Sequence, residues 1–330
     1  MVFDVIFNVA LLFLLMIPGI ILKKCKMVSD GFGKGLSNMV LYIAQPALIF
    51  LAYIKPFNID ILINSAYVLV FSIIAHAIFA IVSMLLFKGA EDSKRRMLRF
   101  ATIFSNAAFM GIPLINAVLE DSFPGATLYA SIYNITFNLF LWSLGVRICT
   151  QNRDKDKDGI DDHEEAKAEG ASIMKALLHP VTIAAAIGLV FFICPIIDYI
   201  PSVAWDLISD TATKLSNLVA PLSMIVIGLR LPDISFKGML SDKYMYLFLA
   251  LRHVILPLVI VGVLKLSMLT GLEMSGAVAP VVLILACAPA ASSATMFAEK
   301  YDCDATYVSR LVTVSTLLSI VTMPLLLMLI

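Results

Sequence analysis

Polar and helix-breaking residues occupy the middle of an apolar stretch in the segment FSNAAFMGIPLI, residues 104–115. Asn106 carries an amide with two N–H donors, which suit a carboxylate or another anion. Ser105 lies beside it, and Gly111 and Pro113 follow. Proline removes a backbone N–H and clashes with the preceding helical turn, so Pro113 is expected to interrupt the helix of this segment. The pattern favours a substrate site at a broken helix over the alternative, a kinked buried helix whose asparagine bonds a neighbouring backbone.

A second segment of the same kind is ACAPAASSATMFAEKY, residues 286–301. Pro289 interrupts it, and the hydroxyls of Ser292 and Ser293 follow the interruption and could donate to the same ligand. Small hydroxyl residues are also ordinary contacts between membrane helices, so both interpretations stay open for the two serines and for Gln45. Two interruptions of one kind are harder to explain as independent kinks than as two halves of one binding site.

His76 lies in the apolar segment FSIIAHAIFA, which contains no other strongly ionisable residue. A histidine inside a membrane can take up a proton near neutral pH, which makes His76 a candidate for proton coupling. The alternative is a neutral imidazole that is hydrogen-bonded within the helix bundle. Arg252 and His253 lie near the cytoplasmic end of another span, and the expectation is that the arginine side chain reaches water at the membrane surface. The alternative is that Arg252 attracts the anion from the inside.

The charged segment DKDKDGIDDHEE, residues 154–165, has the residue spacing of a calcium-binding loop. Against this, the eighth position is Asp161 instead of an apolar residue, and no second loop is present to pair with it. The alternative is a solvated charged linker between two parts of the chain. Ca²⁺ is therefore a possible cofactor of this segment, and no cofactor is expected to be required. The ligands of such a site would be Asp154, Asp156, Asp158, the carbonyl of Ile160, Asp162 and Glu165.

The elements that must position these residues follow from the composition of the chain. Hydrophobic residues make up 60% of the 330 and charged residues 15%, with a mean hydropathy of +0.94, whereas soluble proteins have about 25% charged residues. Apolar segments long enough to cross a bilayer recur along the chain. The sequence therefore predicts an all-α polytopic membrane protein. The predicted spans are residues 2–22, 35–54, 61–87, 96–119, 126–149, 175–197, 203–230, 244–268, 275–299 and 304–330.

Most of the 24 basic residues lie in alternate connections between these spans. Cytoplasmic loops retain lysine and arginine, so both chain termini are expected to be extracellular. The segments LSNMV and LSNLV, at residues 36–40 and 215–219, and the pair GAT and DAT before spans five and ten recur at the same offset, which indicates an internal duplication.

The duplication divides the chain into three predicted parts. Residues 1–150 form a first five-helix repeat, residues 151–174 a charged cytoplasmic loop, and residues 175–330 a second five-helix repeat. Because each repeat crosses the membrane an odd number of times, the second must be inverted relative to the first. Inverted repeats are typical of transporters that hold the substrate near the midplane between discontinuous helices.

The segments NAAFMGIPLI, QPALIF (residues 45–50) and APAASSATMFAEKYDCDATYVS (residues 288–309) resemble the auxin efflux carrier family. That family includes plant auxin exporters and bacterial permeases for organic acids such as malate or malonate, and the resemblance covers nearly the whole chain. It implies ten transmembrane helices in two inverted repeats, with spans four and nine crossing at their breaks. Spans one, two, six and seven would form a scaffold, and Asn106 would contact the carboxylate of the substrate. A serine of the plant members is replaced by Ile49, which favours a smaller organic anion.

The expected function is secondary active transport of an organic anion across a bacterial plasma membrane by alternating access. An enzyme is not expected, because no catalytic motif is present. The alternatives are an ion-coupled carrier of another solute on the same fold and a non-transporting membrane sensor that uses the 151–174 loop. The partners considered are a small organic anion, the lipid bilayer, a coupling H⁺ or Na⁺ and a second copy of the chain in a homodimer. Nucleic acid is not expected, since no basic patch carries interleaved aromatic residues.

Overall fold

The computed structural model describes residues 2–29, 31–150, 173–233 and 242–329. The predicted calcium ligands Asp154, Asp156, Asp158, Ile160, Asp162 and Glu165 lie outside the described residues, so calcium binding stays a prediction.

The described ranges are built of helices with short connections and contain no β-strand. The first half has α1 (Val2–Leu14), α2 (Ile17–Lys24), α3 (Phe32–Met39), α4 (Gln45–Ala52), α5 (Ile59–Leu86), α6 (Asp92–Ile103), α7 (Ile112–Val118), α8 (Ala126–Phe140) and α9 (Val146–Thr150). The second half has α10 (Ile173–Leu177), α11 (Pro180–Ile193), α12 (Ser202–Ser216), α13 (Val219–Arg230), α14 (Lys243–Ala250), α15 (Leu256–Leu269), α16 (Val278–Cys287), α17 (Ser293–Lys300) and α18 (Ala305–Leu327). Single π-helical turns connect helices at Val40–Ala44, Ala107–Gly111, Leu141–Gly145 and Leu251–Ile255.

Seven helical stretches in the described ranges are long and apolar enough to cross a membrane. They are Phe7–Lys24, Phe32–Ala52, Ile59–Leu86, Ala126–Thr150, Ser202–Arg230, Lys243–Leu269 and Ala305–Leu327. The prediction of an all-α polytopic membrane protein is therefore confirmed.

The remaining three predicted spans contain shorter apolar helices: Ala107–Val118, Pro180–Ile193 and Val278–Cys287. The helix of span six ends before Pro195 because a proline forces the preceding residue out of the helical conformation. Cys194 is accordingly extended, with φ −106° and ψ 136°. The other two short helices belong to spans four and nine, which are interrupted.

The helices pack in two groups. In one group α2 packs against α13, and α4 packs against α11 and α12. In the other, α5 packs against α6 and α8, α16 lies against both α5 and α8, and α18 contacts α6 and α17. The groups meet where α1 contacts α7 and α18 and where α13 contacts the π-helical turn Ala107–Gly111.

The contact between α2 and α13 depends on two glycines. A Cβ atom on Gly19 would overlap the carbonyl oxygen of Ile225, and one on Gly228 would overlap that of Met16. Small residues allow membrane helices to approach until their backbones touch. These two glycines therefore set the distance between helices from opposite halves of the sequence.

Candidate substrate site at the helix crossover

Both polar segments singled out in the sequence interrupt a helix. Residues 104–106 are non-helical and separate α6 from the π-helical turn that begins at Ala107, and residues 288–292 separate α16 from α17. Pro289 lies inside the second break. Pro113 does not lie in the first, because it stands at the beginning of α7 after the π-helical turn. The expectation that Pro113 opens span four is therefore wrong.

The helix continues across Pro113 because the π-helical turn changes its hydrogen-bond register. The N–H of Gly111 donates to the carbonyl of Asn106 at 3.1 Å, and the N–H of Ile112 donates to that of Ala107. Both bonds span five residues, which is the π-helical pattern. Proline is tolerated in the first turn of a helix, where its missing N–H has no necessary partner.

The two breaks satisfy each other's backbone groups. The N–H of Asn106 donates to the carbonyl of Pro289 at 2.7 Å, and the N–H of Ala291 donates to the carbonyl of Phe104 at 2.9 Å. These bonds form an antiparallel bridge between Ser105 and Ala290. Interrupted backbone inside a membrane is tolerated only where the protein or water supplies its hydrogen bonds. The two helices thus meet at their interruptions.

Arg252 holds the ends of α6 and α16 together from the interior of the protein, where it is 0% exposed. Its Nη1 donates to the carbonyl of Thr102 at 2.9 Å, while Nε and Nη2 donate to that of Ala288 at 3.1 and 2.6 Å. The guanidinium carbon lies 5.3 Å from the ring centroid of Phe79. The expectation that Arg252 reaches water is wrong, because the free carbonyls of two helix ends attract it inward.

Asn106 stands where the second half-helix of span four begins, and it is 2% exposed. Its side-chain nitrogen has no hydrogen-bond partner among the described residues. A buried donor without a partner costs about 1–3 kcal/mol, and such a group in a native structure calls for a water, an ion or a ligand. The amide of Asn106 is therefore a donor at the crossover that calls for an additional partner.

Other residues singled out in the sequence surround the breaks to different degrees. Ser105 is buried next to Asn106. Gln45 is also buried; its Nε2 donates to the carbonyl of Ala108 at 3.0 Å, and its Oε1 has no partner in the described ranges. Ser292 is buried at the start of α17, whereas Ser293 is partly exposed. Ser105, Asn106, Pro289 and Gln45 are thus close to the crossover, and the two serines follow it.

Gly111 allows span nine to approach the π-helical turn of span four. A Cβ atom at Gly111 would lie 2.7 Å from Cδ2 of Leu285, a distance that real Cβ atoms do not adopt. Gly111 thus acts through packing beside the crossover, and a side chain there would displace Leu285.

His76 lies in an aromatic cage next to the crossover. Its ring stacks on Phe140 with centroids 5.0 Å apart and lies 5.3 Å from the ring of Tyr133. Its Nδ1 lies 2.7 Å from the carbonyl of Ser72, so Nδ1 must carry a hydrogen. Its Nε2 has no partner in the described part of the chain. These contacts favour the neutral alternative, and proton coupling through His76 stays a prediction.

A hydrogen-bond chain that the sequence did not suggest supports the second break. The N–H of Ala290 donates to Oγ of Ser315 at 3.0 Å, and that oxygen lies 2.8 Å from Nε2 of His253. Nδ1 of His253 lies 3.0 Å from Oγ1 of Thr322. Each bond is satisfied when Ser315 donates to a neutral His253. The sequence shows that His253 lies in an apolar span. It does not show that Ser315 and Thr322 are its partners, because these residues are distant in the sequence.

A cavity of about 890 Å³ lies between the two groups of helices. It is bordered by α13, α17, α18 and the residues around the start of α3, and Asn106 is not part of its wall. Arg230, in that wall, donates to the carbonyl of Ser292 at the end of the second break. The charged residues of its wall are Lys23, Lys34, Arg230, Glu299, Lys300 and Arg310.

Among the described residues, no group of His, Cys, Asp or Glu side chains is arranged to hold a metal ion. The polar groups of the crossover are amides, hydroxyls, carbonyls and a guanidinium, which suit hydrogen bonding to an organic ligand.

Comparison with known proteins adds two findings. The family model described as membrane transport protein matches residues 4–327. A curated relative from Methanothermobacter thermautotrophicus, described as an uncharacterized transporter, is 25% identical over 318 residues, which cover 94% of this chain and 93% of the relative.

Proposed function

The chain belongs to the membrane transport protein family, and from this premise we propose that it is a secondary active transporter that moves an organic anion by alternating access. The resemblance to the auxin efflux carriers is confirmed at the level of the family. The substrate class and the mechanism are the proposal. The observation that carries it is the buried amide nitrogen of Asn106 at the helix crossover, which has no hydrogen-bond partner in the described part of the chain.

The crossover has the polarity that an anion requires. The second half-helix of each interrupted span begins there, with the π-helical turn at Ala107 and with α17 at Ser293. The first turn of a helix presents free N–H groups and a partial positive charge, and half-helix N-termini point at anionic substrates in transporters of this architecture. A carboxylate beside Asn106 would accept hydrogen from the unpaired amide. The serines at positions 105, 292 and 293 are the further donors that we assign to this site. Gln45 would contribute the second N–H of its Nε2, because the first donates to the carbonyl of Ala108.

Alternating access is supported by the closed state of the crossover. Asn106 is buried and does not border the cavity, while the cavity lies between the two groups of helices. A solute in the cavity would reach Asn106 only if one group moved relative to the other. We assign spans one, two, six and seven to a fixed scaffold and the remaining spans to the moving domain, with the inverted repeats at residues 1–150 and 175–330.

The location and energy source complete the proposal. The basic residues of the cavity belong to connections that the distribution of lysine and arginine assigns to the cytoplasm, so the cavity would open inward and both termini would lie outside the plasma membrane. One charge moved through 100 mV contributes about 2.3 kcal/mol, which is enough to drive accumulation or expulsion of an anion. A proton taken up by His76 would be an additional source.

The test is flux of radiolabelled malate, malonate and indole-acetate into proteoliposomes under an imposed pH gradient and membrane potential. We expect flux of one acid, reduced roughly 10- to 100-fold in Asn106→Ala, since a hydrogen bond to a charged group contributes about 1.5–3 kcal/mol. Asn116→Ala, on an exposed position of α7, is the matched control and should transport normally.

Each contrary result removes a different part of the proposal. Flux that is equal in Asn106→Ala and the wild type would remove the site and leave the transporter. If none of the three acids moves under either gradient, another solute or a non-transporting sensor replaces the organic-anion carrier. The sensor would be favoured by ligand binding without flux.

A further inference from the structure

We propose that Arg252 is a built-in cation that occupies the place where the crossover would otherwise bind a coupling metal ion such as Na⁺. The inference deepens the proposed function, on which its transport consequences rest, but the binding of cations to this site can be measured without knowing the substrate.

The two acceptors of Arg252 are backbone carbonyls that the helix breaks have set free. Thr102 lies in the last turn of α6, and Ala288 directly follows α16. In an uninterrupted helix each carbonyl would accept from the N–H four residues later. The N–H of Asn106 donates instead to Pro289, across the crossover. The oxygen of Thr102 therefore remains available to a cation, and that of Ala288 lies just beyond the end of α16.

Free carbonyls at the ends of half-helices are the usual ligands for coupling cations in transporters built from inverted repeats. Such helix ends also carry partial negative charge. Here all three nitrogens of the Arg252 guanidinium donate to these carbonyls, at distances between 2.6 and 3.1 Å. The guanidinium thus occupies both carbonyl oxygens that a small metal ion could use here.

The guanidinium of Arg252 is enclosed by the protein, as expected for a charge that stays in place. The side chain has no exposed surface, and the ring of Phe79 lies near its guanidinium. Within the described ranges it forms no ion pair with an aspartate or a glutamate. A buried charge is costly unless it is compensated, and here the compensation comes from two helix ends.

A π-helical turn places this cation. Arg252 and His253 both lie in the turn Leu251–Ile255, and both are buried. Arg252 bonds the carbonyls at the ends of α6 and α16, while His253 reaches Ser315 on α18. Single π-helical turns inside helices are frequent at functional sites. The turn therefore directs two neighbouring side chains to two different supports of the crossover.

The consequence concerns the ions that the transporter needs. Because the positive charge is part of the chain, the crossover keeps its cation in every step of the cycle. Transport by the wild type would then need no added metal cation. Removal of Arg252 would open a site with two free carbonyl ligands, and the protein would become dependent on a cation from solution.

The first experiment measures thermal unfolding of the full-length purified protein in detergent, with choline, Na⁺ or low-millimolar guanidinium. We expect Arg252→Ala to unfold at a lower temperature than the wild type. Its midpoint should rise with Na⁺ or guanidinium and then saturate, because a ligand that binds the folded state stabilises it by mass action. The midpoints of the wild type and of Arg252→Lys, which keeps a charge, should not respond.

Two controls keep the result interpretable. Gly228→Ala, which should be destabilised at the contact of α13 with α2 but keeps Arg252, should gain nothing from the same cations. If Arg252→Ala cannot be purified, Arg252→Met keeps most of the side-chain volume without the charge and is measured in the same way. An absence of any saturable cation effect in a folded variant without the charge would overturn the inference.

Flux separates this inference from the proposed function. Wild-type flux that is unchanged when choline replaces Na⁺, together with flux in Arg252→Ala that requires an added cation, is the expected result. Wild-type flux that requires Na⁺ would overturn the role of Arg252 and leave the transporter. A complete lack of organic-anion flux would overturn the proposed function, while cation binding by the variant would still support the role of Arg252.

Discussion

Single polar residues in the interior of this protein are placed by where the helices end. Arg252 bonds carbonyls at the C-terminal ends of two half-helices, and Asn106 stands where one of the second half-helices begins. The opposite ends of helices carry opposite partial charges. The same pair of interruptions therefore accounts for a retained cation on one side of the crossover and would account for the proposed anion site on the other.

Glu120 is a carboxylate whose ionised form the loop between α7 and α8 stabilises. Its Oε1 accepts from the N–H of Gly125 at 2.9 Å and from Nζ of Lys55 at 3.1 Å, and its Oε2 accepts from the N–H of Thr127 at 2.7 Å. Burial alone would raise the pKa of Glu120, but these hydrogen bonds and the charge of Lys55 outweigh it, so the pKa lies below its usual value. Glu120 is therefore ionised in the folded protein at neutral pH.

The lowered pKa predicts how stability depends on pH. Because the pKa is lower in the folded than in the unfolded state, the carboxylate stabilises the fold above the unfolded value of 4.5 and loses this effect as the pH falls through the folded value. Glu120→Gln should lower the free energy of unfolding by roughly 1.5–3 kcal/mol at pH 7, the contribution of a hydrogen bond to a charged group. Thermal unfolding in detergent between pH 7 and 3 measures it.

The difference between wild type and Glu120→Gln should shrink as the solution is acidified. Glu273→Gln, on an exposed loop residue, is the matched control and should unfold like the wild type throughout. A difference that stays constant from pH 7 to 3 would contradict the assignment of a stabilising charge to Glu120.

At the scale of helices, the length of the apolar segments predicted the continuous spans, but the sequence did not predict where span four is interrupted. The continuous spans follow from composition, because about 20 apolar residues suffice to cross a bilayer. The interruption of span four was expected at Pro113 but lies at residues 104–106, since its hydrogen-bond partners come from residues 289–291. A proline is visible in a sequence, whereas a hydrogen-bonding partner segment from the other half of the chain is not.

The same reason explains which parts of the candidate site were missed. Asn106 and Pro289 stood out as polar or helix-breaking residues in apolar segments. The inward direction of Arg252 could not be predicted, because it depends on carbonyls that become free only when α6 and α16 end beside each other. The role of Ser315 could not be predicted either. Small hydroxyl residues are common in membrane helices, and nothing in the sequence distinguishes the one that accepts from the N–H of Ala290.

The contact of α2 with α13 predicts a large difference between two chemically equal substitutions. In Gly228→Ala the new methyl group would overlap the carbonyl oxygen of Met16, so the helices must separate. We expect the free energy of unfolding to fall by about 1–3 kcal/mol, the usual effect of overpacking. In Gly262→Ala the methyl group meets no atom within 4 Å, and alanine favours a helix over glycine by up to about 1 kcal/mol.

Thermal unfolding of the two variants in the same detergent compares them directly. Gly228→Ala should unfold well below the wild type, and Gly262→Ala should unfold at or slightly above it. Equal midpoints for the two variants would mean that α2 and α13 do not touch in the way described.

At the scale of the whole molecule, charge is distributed so that an anion would gather between the two groups of helices. The wall of the cavity contains Lys34 from α3, in the proposed scaffold, and Arg310 from α18, in the proposed moving domain. Lysines and arginines outnumber Glu299 in this wall. A cleft lined by charges of one sign raises the local concentration of the opposite ion. The cavity would therefore act before the crossover, by bringing the substrate to it.

This role predicts a change in the substrate concentration for half-maximal flux, and not in the maximal rate. Lys34→Gln and Arg310→Gln should each raise KM up to about fivefold when the substrate is added on the cavity side, because one charge contributes at most about 1 kcal/mol in water-like surroundings. The effect should fade between 0.05 and 0.5 M KCl, since the Debye length is about 10 Å at 0.1 M and about 3 Å at 1 M. Lys94→Gln, outside the cavity wall and paired with Glu91 at 3.1 Å, is the control and should leave KM unchanged. A loss of maximal rate in Lys34→Gln that salt does not alter would instead mean that the lysine supports the fold, and the cavity would then have no part in attracting the anion.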